Sequence, residues 1–207
     1  MRVLIACEFS GVVRDAFIAR GHDAISVDLL PSERPGPHYQ GDVLEFIEQT
    51  TRVNGPWFDL MIAHPPCTHL AVSGARHFWR KGTEQAEAIE FVRQLLLAPF
   101  PRIALENPVS VISSRLRPAD QIVQPWQFGH PEMKATCFWL KNLPLLRPTN
   151  NVKAEMDTLS KAERNRVLWM GRDRWMDRSR TFQGIADAIA DQWGTETPLQ
   201  MTLDGAA

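Results

Sequence analysis

Two short stretches of this sequence carry residues able to do covalent chemistry. In the first, the apolar run Phe58-Asp59-Leu60-Met61-Ile62-Ala63 passes through His64 into Pro65-Pro66-Cys67-Thr68-His69. The run has the length and composition of a buried strand, and the prolines stop it. They remove two backbone donors and fix two φ angles, so Cys67 is aimed rigidly from the lip of a sheet. As a thiolate it can add to an electron-poor carbon and later leave. For an arbitrary cysteine the favoured reading is a small apolar residue closing a strand; the two prolines shift that balance here. In the second stretch, Arg102-Ile103-Ala104-Leu105 reads as another buried strand and ends in Glu106-Asn107-Pro108. In an α/β sheet the carboxyl ends of parallel strands line one crevice, so Cys67 and Glu106 should face one another across it. Glu106 could then hand over a proton to whatever the thiol attacks, although alone it also suits a helix cap or a salt bridge.

The elements that must position this pair follow from periodicity. Arg2-Val3-Leu4-Ile5-Ala6-Cys7 reads as a buried parallel strand, Glu8-Phe9-Ser10-Gly11 as a turn, and residues 12–19 as a helix that Gly21 ends. A second strand, Ala24-Ile25-Ser26-Val27, finishes at Asp28, whose carboxylate can accept from ribose hydroxyls. One glycine in the first turn, not three, argues against a pyrophosphate cradle. Residues 31–41 read as a proline-rich loop, and a helix begins near Leu44. Asp42 could receive an adenine amino group or cap that helix. Asn54-Gly55-Pro56 reads as a turn back to the Cys67 strand. Residues 68–82 include Ser73-Gly74-Ala75-Arg76, which could meet phosphates or form a plain connector. Residues 84–97 read as an amphipathic helix and 137–140 as a strand.

At 207 residues the chain suits one domain with a sizeable core, and 44% apolar with 23% charged residues is ordinary for a globular protein. No apolar run approaches a membrane span, and the N-terminus lacks a signal peptide's layout, so no membrane partner is expected and a cytoplasmic location is. Cys7, Cys67 and Cys137 lack a framework spacing and read as free thiols. A net charge of −1 gives no overall attraction to nucleic acid, so such a partner would need a local patch.

Phe9-Ser10-Gly11, Asp28, Gly41-Asp42-Val43, Pro65-Pro66-Cys67, Glu106-Asn107-Pro108 and Gly129-His130-Pro131 stand in the order and rough spacing of the DNA (cytosine-5) methyltransferases. The chain resembles that family over most of residues 1–140. The resemblance implies a doubly wound, mostly parallel α/β sheet of the S-adenosylmethionine-dependent methyltransferase type. It implies S-adenosyl-L-methionine as cofactor, held by Phe9, Ser10 and Gly11, by Asp28 at the ribose and by Asp42 at the adenine, with Leu29, Val43 and Pro65 completing the set. Cys67 would add to carbon 6 of a flipped-out cytosine, and Glu106 would bond the ring at N3.

The chain also departs from the family. Where a Gln-x-Arg-x-Arg run is usual it has Glu132-Met133-Lys134-Ala135-Thr136, in which Lys134 keeps one positive charge as a catalytic group. Val12, Val13 and Arg14 replace later glycines of the first turn. Phe182-Gln183-Gly184-Ile185-Ala186 resembles the final family element, with Ile185 in place of an asparagine. Sequence-specific members carry a whole recognition domain where this chain has only a short basic and aromatic segment. The organisation read from this is a catalytic domain over 1–140 and 181–195, a small basic recognition segment over 141–180, and a disordered tail over 196–207. Within the segment, Arg164, Arg172, Arg174, Arg178 and Arg180, together with Ser73 and Arg76, are the expected nucleic-acid contacts, and Trp169 and Trp175 could stack on bases. An amphipathic helix with solvated arginines is the plainer reading. The tail resembles a bacterial sliding-clamp peptide at Pro198-Leu199-Gln200-Met201-Thr202-Leu203-Asp204, without its terminal aromatic.

DNA is therefore the expected partner and cytosine carbon-5 methylation the expected activity. Three alternatives stand beside it: the same chemistry on RNA or a free nucleotide, a catalytically silent nucleic-acid-binding protein, and His64, Cys67 and His69 as ligands of one metal ion, for which no fourth ligand is evident nearby.

Overall fold

The computed structural model describes residues 1–51, 57–72 and 82–195, with the backbone alone for Arg172. Seven strands form one sheet: β1 (Arg2–Ala6), β2 (Asp23–Asp28), β3 (His38–Gln40), β4 (Leu60–Ala63), β5 (Ile103–Pro108), β6 (Gln121–Val123) and β7 (Thr136–Lys141). Their spatial order is β3-β2-β1-β4-β5-β7-β6. The first five run parallel, and β7 lies antiparallel to both β5 and β6. This is the expected doubly wound, mostly parallel α/β sheet.

The helices are α1 (Val12–Ile18), α2 (Val43–Thr51), α3 (Gly82–Leu96), α4 (Ile112–Arg115), α5 (Lys153–Thr158), α6 (Lys161–Arg164), α7 (Trp175–Ser179) and α8 (Gln183–Trp193). Both faces of the sheet are covered, which is why the central strands read as unbroken apolar runs rather than alternating ones. Val3, Ile5, Leu60 and Ile62 pack against α1 and α8, whereas Leu4, Ala6, Met61 and Ala63 pack against α2 and α3. No helix among the described residues is long and apolar enough to cross a membrane.

Several local expectations need correction. Residues 31–41 are not all loop: His38–Gln40 adds an edge strand to β2, pairing Ser26 with His38. Ladder bonds and a 2.8 Å contact from Ser26 Oγ to His38 Nδ1 hold it, so it leaves no apolar pattern to read. Glu106, Asn107 and Pro108 do not follow β5 but belong to it, because β7 continues to pair with them after β4 has stopped at Leu105. The closing helix, which the sequence pattern puts over Asp187 to Trp193, starts at Gln183 and so takes in the Gln183-Gly184-Ile185-Ala186 stretch. Gly184 is required there, since a Cβ would strike the carbonyl oxygen of Phe128. The Asn54-Gly55-Pro56 turn lies outside the described residues.

Candidate active site

The carboxyl ends of β4 and β5 bring Cys67 and Glu106 to the same edge of the sheet. Asn107 ties the two ends together, its Nδ2 donating to the carbonyl of Pro65 at 2.9 Å. Beyond the thiol, Leu70 and Ala71 donate to the Cys67 carbonyl at 3.0 and 2.9 Å, closing a turn. That turn is stitched to the chain after β5: Val111 donates to Leu70 at 3.0 Å and Val72 to Val109 at 3.1 Å. Cys67 is thus an exposed thiol on a segment fixed at both sides.

Electrostatics set its reactivity. Packing around the thiol raises its pKa, and the Glu106 carboxylate raises it further; Lys134, the backbone N–H of Cys67 and Arg178 pull the other way. Lys134 approaches from the segment before β7. Burial lowers its own pKa, and Glu106 and Cys67 oppose that. Its Nζ donates to the carbonyls of Arg178 at 2.7 Å and Arg180 at 3.1 Å, which leaves one of three protons without a partner among the described residues. Cys67, Glu106 and Lys134 therefore lie within electrostatic reach of one another.

The cofactor-side residues lie at the ends of β1 and β2. Asp28 is half-buried, and desolvation raises its pKa against backbone donors from Leu30 and Leu29. Leu30 N reaches Oδ1 at 2.9 Å. Next to it Leu29 is 70% exposed, an unusual place for a large apolar side chain. A partly desolvated carboxylate beside an exposed apolar side chain could hold the hydroxyls and ring of an adenosine group. Asp42 takes its other reading in part: Oδ1 caps α2, accepting from Leu44 N at 2.8 Å and Glu45 N at 3.1 Å. Val43 is a core residue and Pro65 is buried.

Phe9, Ser10 and Gly11 form the turn into α1, and Gly11 adopts φ 71°. Here the substituted glycines find their physical reason. The Glu8 carboxylate caps the helix, accepting from Val13 N at 2.7 Å and Arg14 N at 3.1 Å, so these donors are not offered to a pyrophosphate. The Arg14 side chain is fully buried, with Asp15 at 2.8 Å and the carbonyls of Arg34 and Pro35 at 3.3 and 3.0 Å. It pins residues 32–36 over the turn, where Glu33 N also donates to the Phe9 carbonyl at 2.8 Å. A Cβ on Gly11 would lie 2.6 Å from Arg14 Nη2. Sequence reading missed this plug, whose partners are mostly backbone carbonyls and hydroxyls.

The basic segment packs against the site rather than standing apart. Trp175 meets Phe9 with ring centroids 5.9 Å apart, and Arg180 grips Glu33 through two bonds of 2.8 and 2.6 Å. Arg174 is paired with Asp177 at 2.8 Å. Arg164 has no side-chain partner among the described residues, and Arg178 lies close enough to the thiol to affect it. Leu168 and Trp169 are 49% and 57% exposed. Ser73, Arg76, the side chain of Arg172 and the clamp-like tail lie outside the described residues. Among the described residues no group of three His, Cys, Asp or Glu side chains could hold a metal ion; His64 turns to Glu106 instead.

No family model and no curated protein matches the chain. A solved structure from E. coli, described as a candidate DNA modification methyltransferase encoded within a prophage, aligns with a TM-score of 0.45 at 18% sequence identity. The alignment covers 73% of this chain and 51% of that one, so the chain spans about half the length of the solved protein it matches.

Proposed function

We propose that this protein methylates carbon 5 of cytosine in DNA, using S-adenosyl-L-methionine. The observation that carries the proposal is the convergence of Cys67, Glu106 and Lys134 at one sheet edge, beside the Asp28 and Leu29 surface. Phe9, Ser10, Gly11, Asp28 and Leu29 would hold the cofactor, which supplies an electrophilic methyl group when bound.

Carbon 5 of cytosine is a poor nucleophile until something adds at carbon 6. The Cys67 thiolate forms the bond to carbon 6 while a protonated Glu106 donates to ring N3, so the electron pair of the 5,6 double bond becomes available at carbon 5. The remaining proton of Lys134 Nζ would meet the carbonyl oxygen of the ring. After methyl transfer, loss of the carbon-5 proton to a base restores the double bond and expels the thiolate. A duplex hides these atoms, so the base must leave the stack. Arg164, Arg178 and the exposed Trp169 would meet the backbone and neighbouring bases.

The same chemistry on RNA or a free nucleotide is the second reading. The pairing of Arg166, Arg174 and Arg180 with Glu132, Asp177 and Glu33 leaves less positive charge for a long polyanion and so favours the free nucleotide within this reading.

DNA carrying 5-fluorocytosine tests the proposal. Fluorine cannot depart as a cation, so mass spectrometry should find a covalent, methylated adduct on Cys67 that Cys67→Ala lacks. Cofactor binding without an adduct on DNA, but with one on RNA or nucleotide, selects the second reading. No adduct on any of the three removes the proposed chemistry.

A further inference from the structure

His64 stands between the two halves of the site and has no part in the chemistry above. The register of the parallel pair explains where its side chain goes. Ala63 pairs with Leu105, so one step further His64 lies beside Glu106 on the same face of the sheet. Its backbone is fixed on the other side, where His64 N donates to the Ala6 carbonyl at 2.9 Å. From that anchored position Nδ1 reaches Glu106 Oε2 at 3.2 Å, with the side chains 10% and 16% exposed. Its other nitrogen, Nε2, is buried without a partner among the described residues.

A carboxyl group that must meet a ring nitrogen has two oxygens and a soft terminal torsion. A donor fixed on one oxygen removes that freedom and presents the other. We propose that His64 is the positioning residue of Glu106: Nδ1 holds Oε2 and thereby turns Oε1 toward the substrate ring. The catalytic consequence rests on the cytosine reading; the His64–Glu106 coupling does not. With Oε2 occupied by Nδ1, Oε1 is the oxygen left to face the ring.

Two measurements test this separately. For methyl transfer, His64→Ala should lower kcat about 10²-fold with the KM for S-adenosylmethionine and the melting temperature unmoved. His64→Asn, whose amide can donate from near the Nδ1 position, should recover most of the loss. Wild-type kcat in His64→Ala, or no recovery in His64→Asn, overturns the proposal. Independently of any methylation, the pH at which iodoacetamide labels Cys67 should rise by about half a unit in His64→Ala, because Glu106 loses the donor that disperses its charge. In a Glu106→Gln background the same substitution should change nothing. Coupling in this cycle without methylation by the wild type keeps the positioning role and removes the cytosine chemistry; methylation without coupling removes the positioning role alone.

Discussion

Two thiols sit at the ends of neighbouring parallel strands, and their surroundings differ. Cys7 follows β1 directly, with φ 59°, and packing raises its pKa far above the thiol range, Asp28 and Asp42 adding to the effect. Cys67 follows β4 after the two prolines, on an exposed turn, where Lys134 and Arg178 work against Glu106. The third thiol, Cys137 in β7, is buried and pushed up to about 11. A strand-end position alone does not make a nucleophile. Exposure and a nearby cation distinguish Cys67 from Cys7.

The strongest way to break this contrast is to remove each thiol in turn. Cys67→Ala should abolish methyl transfer, by at least about 10³-fold, whereas Cys7→Ala should keep kcat within the same order; equal losses would dissolve the distinction. Next in size are the charges. Lys134→Met should lower kcat about 10²-fold and move the onset of Cys67 alkylation to higher pH, because the opposing cation is gone. Glu106→Gln should move that onset to lower pH while kcat still collapses, so reactivity and turnover part company. Arg178→Gln should shift the onset in the same direction as Lys134→Met but by less. The smallest effect belongs to the silent site: Cys7→Gly relieves a left-handed backbone worth about 1 kcal/mol and loses a little packing, so calorimetry should find a melting temperature within a few degrees of wild type.

Much of the sheet was legible because its central strands are buried on both faces and appear as continuous apolar runs. β3 and β6 were not, since three-residue edge strands such as His38-Tyr39-Gln40 are held by ladder bonds that leave little pattern. Cys67 could be read from where its apolar run stops, and Glu106 from where the apolar part of β5 gives way to polar residues. His64 could be read only as a metal ligand, because its contact with Glu106 depends on the register between β4 and β5, which no local pattern records. Asp42 had two equal readings, and only the positions of Leu44 N and Glu45 N show its capping bonds. The arginines of the basic segment were visible, but the carboxylate that Arg180 grips, Glu33, lies in the loop after β2, far away in the chain.

The extra length of β5 has a consequence for how such a protein can be altered. Glu106 and Asn107 are held by β7, and Asn107 holds Pro65, while Val72 is the last described residue before the connection to α3. The spacing between acid and thiol is therefore settled before that connection begins. Insertions or grafts between Val72 and α3 therefore need not re-register the pair, which makes this connection the natural place to lengthen the chain.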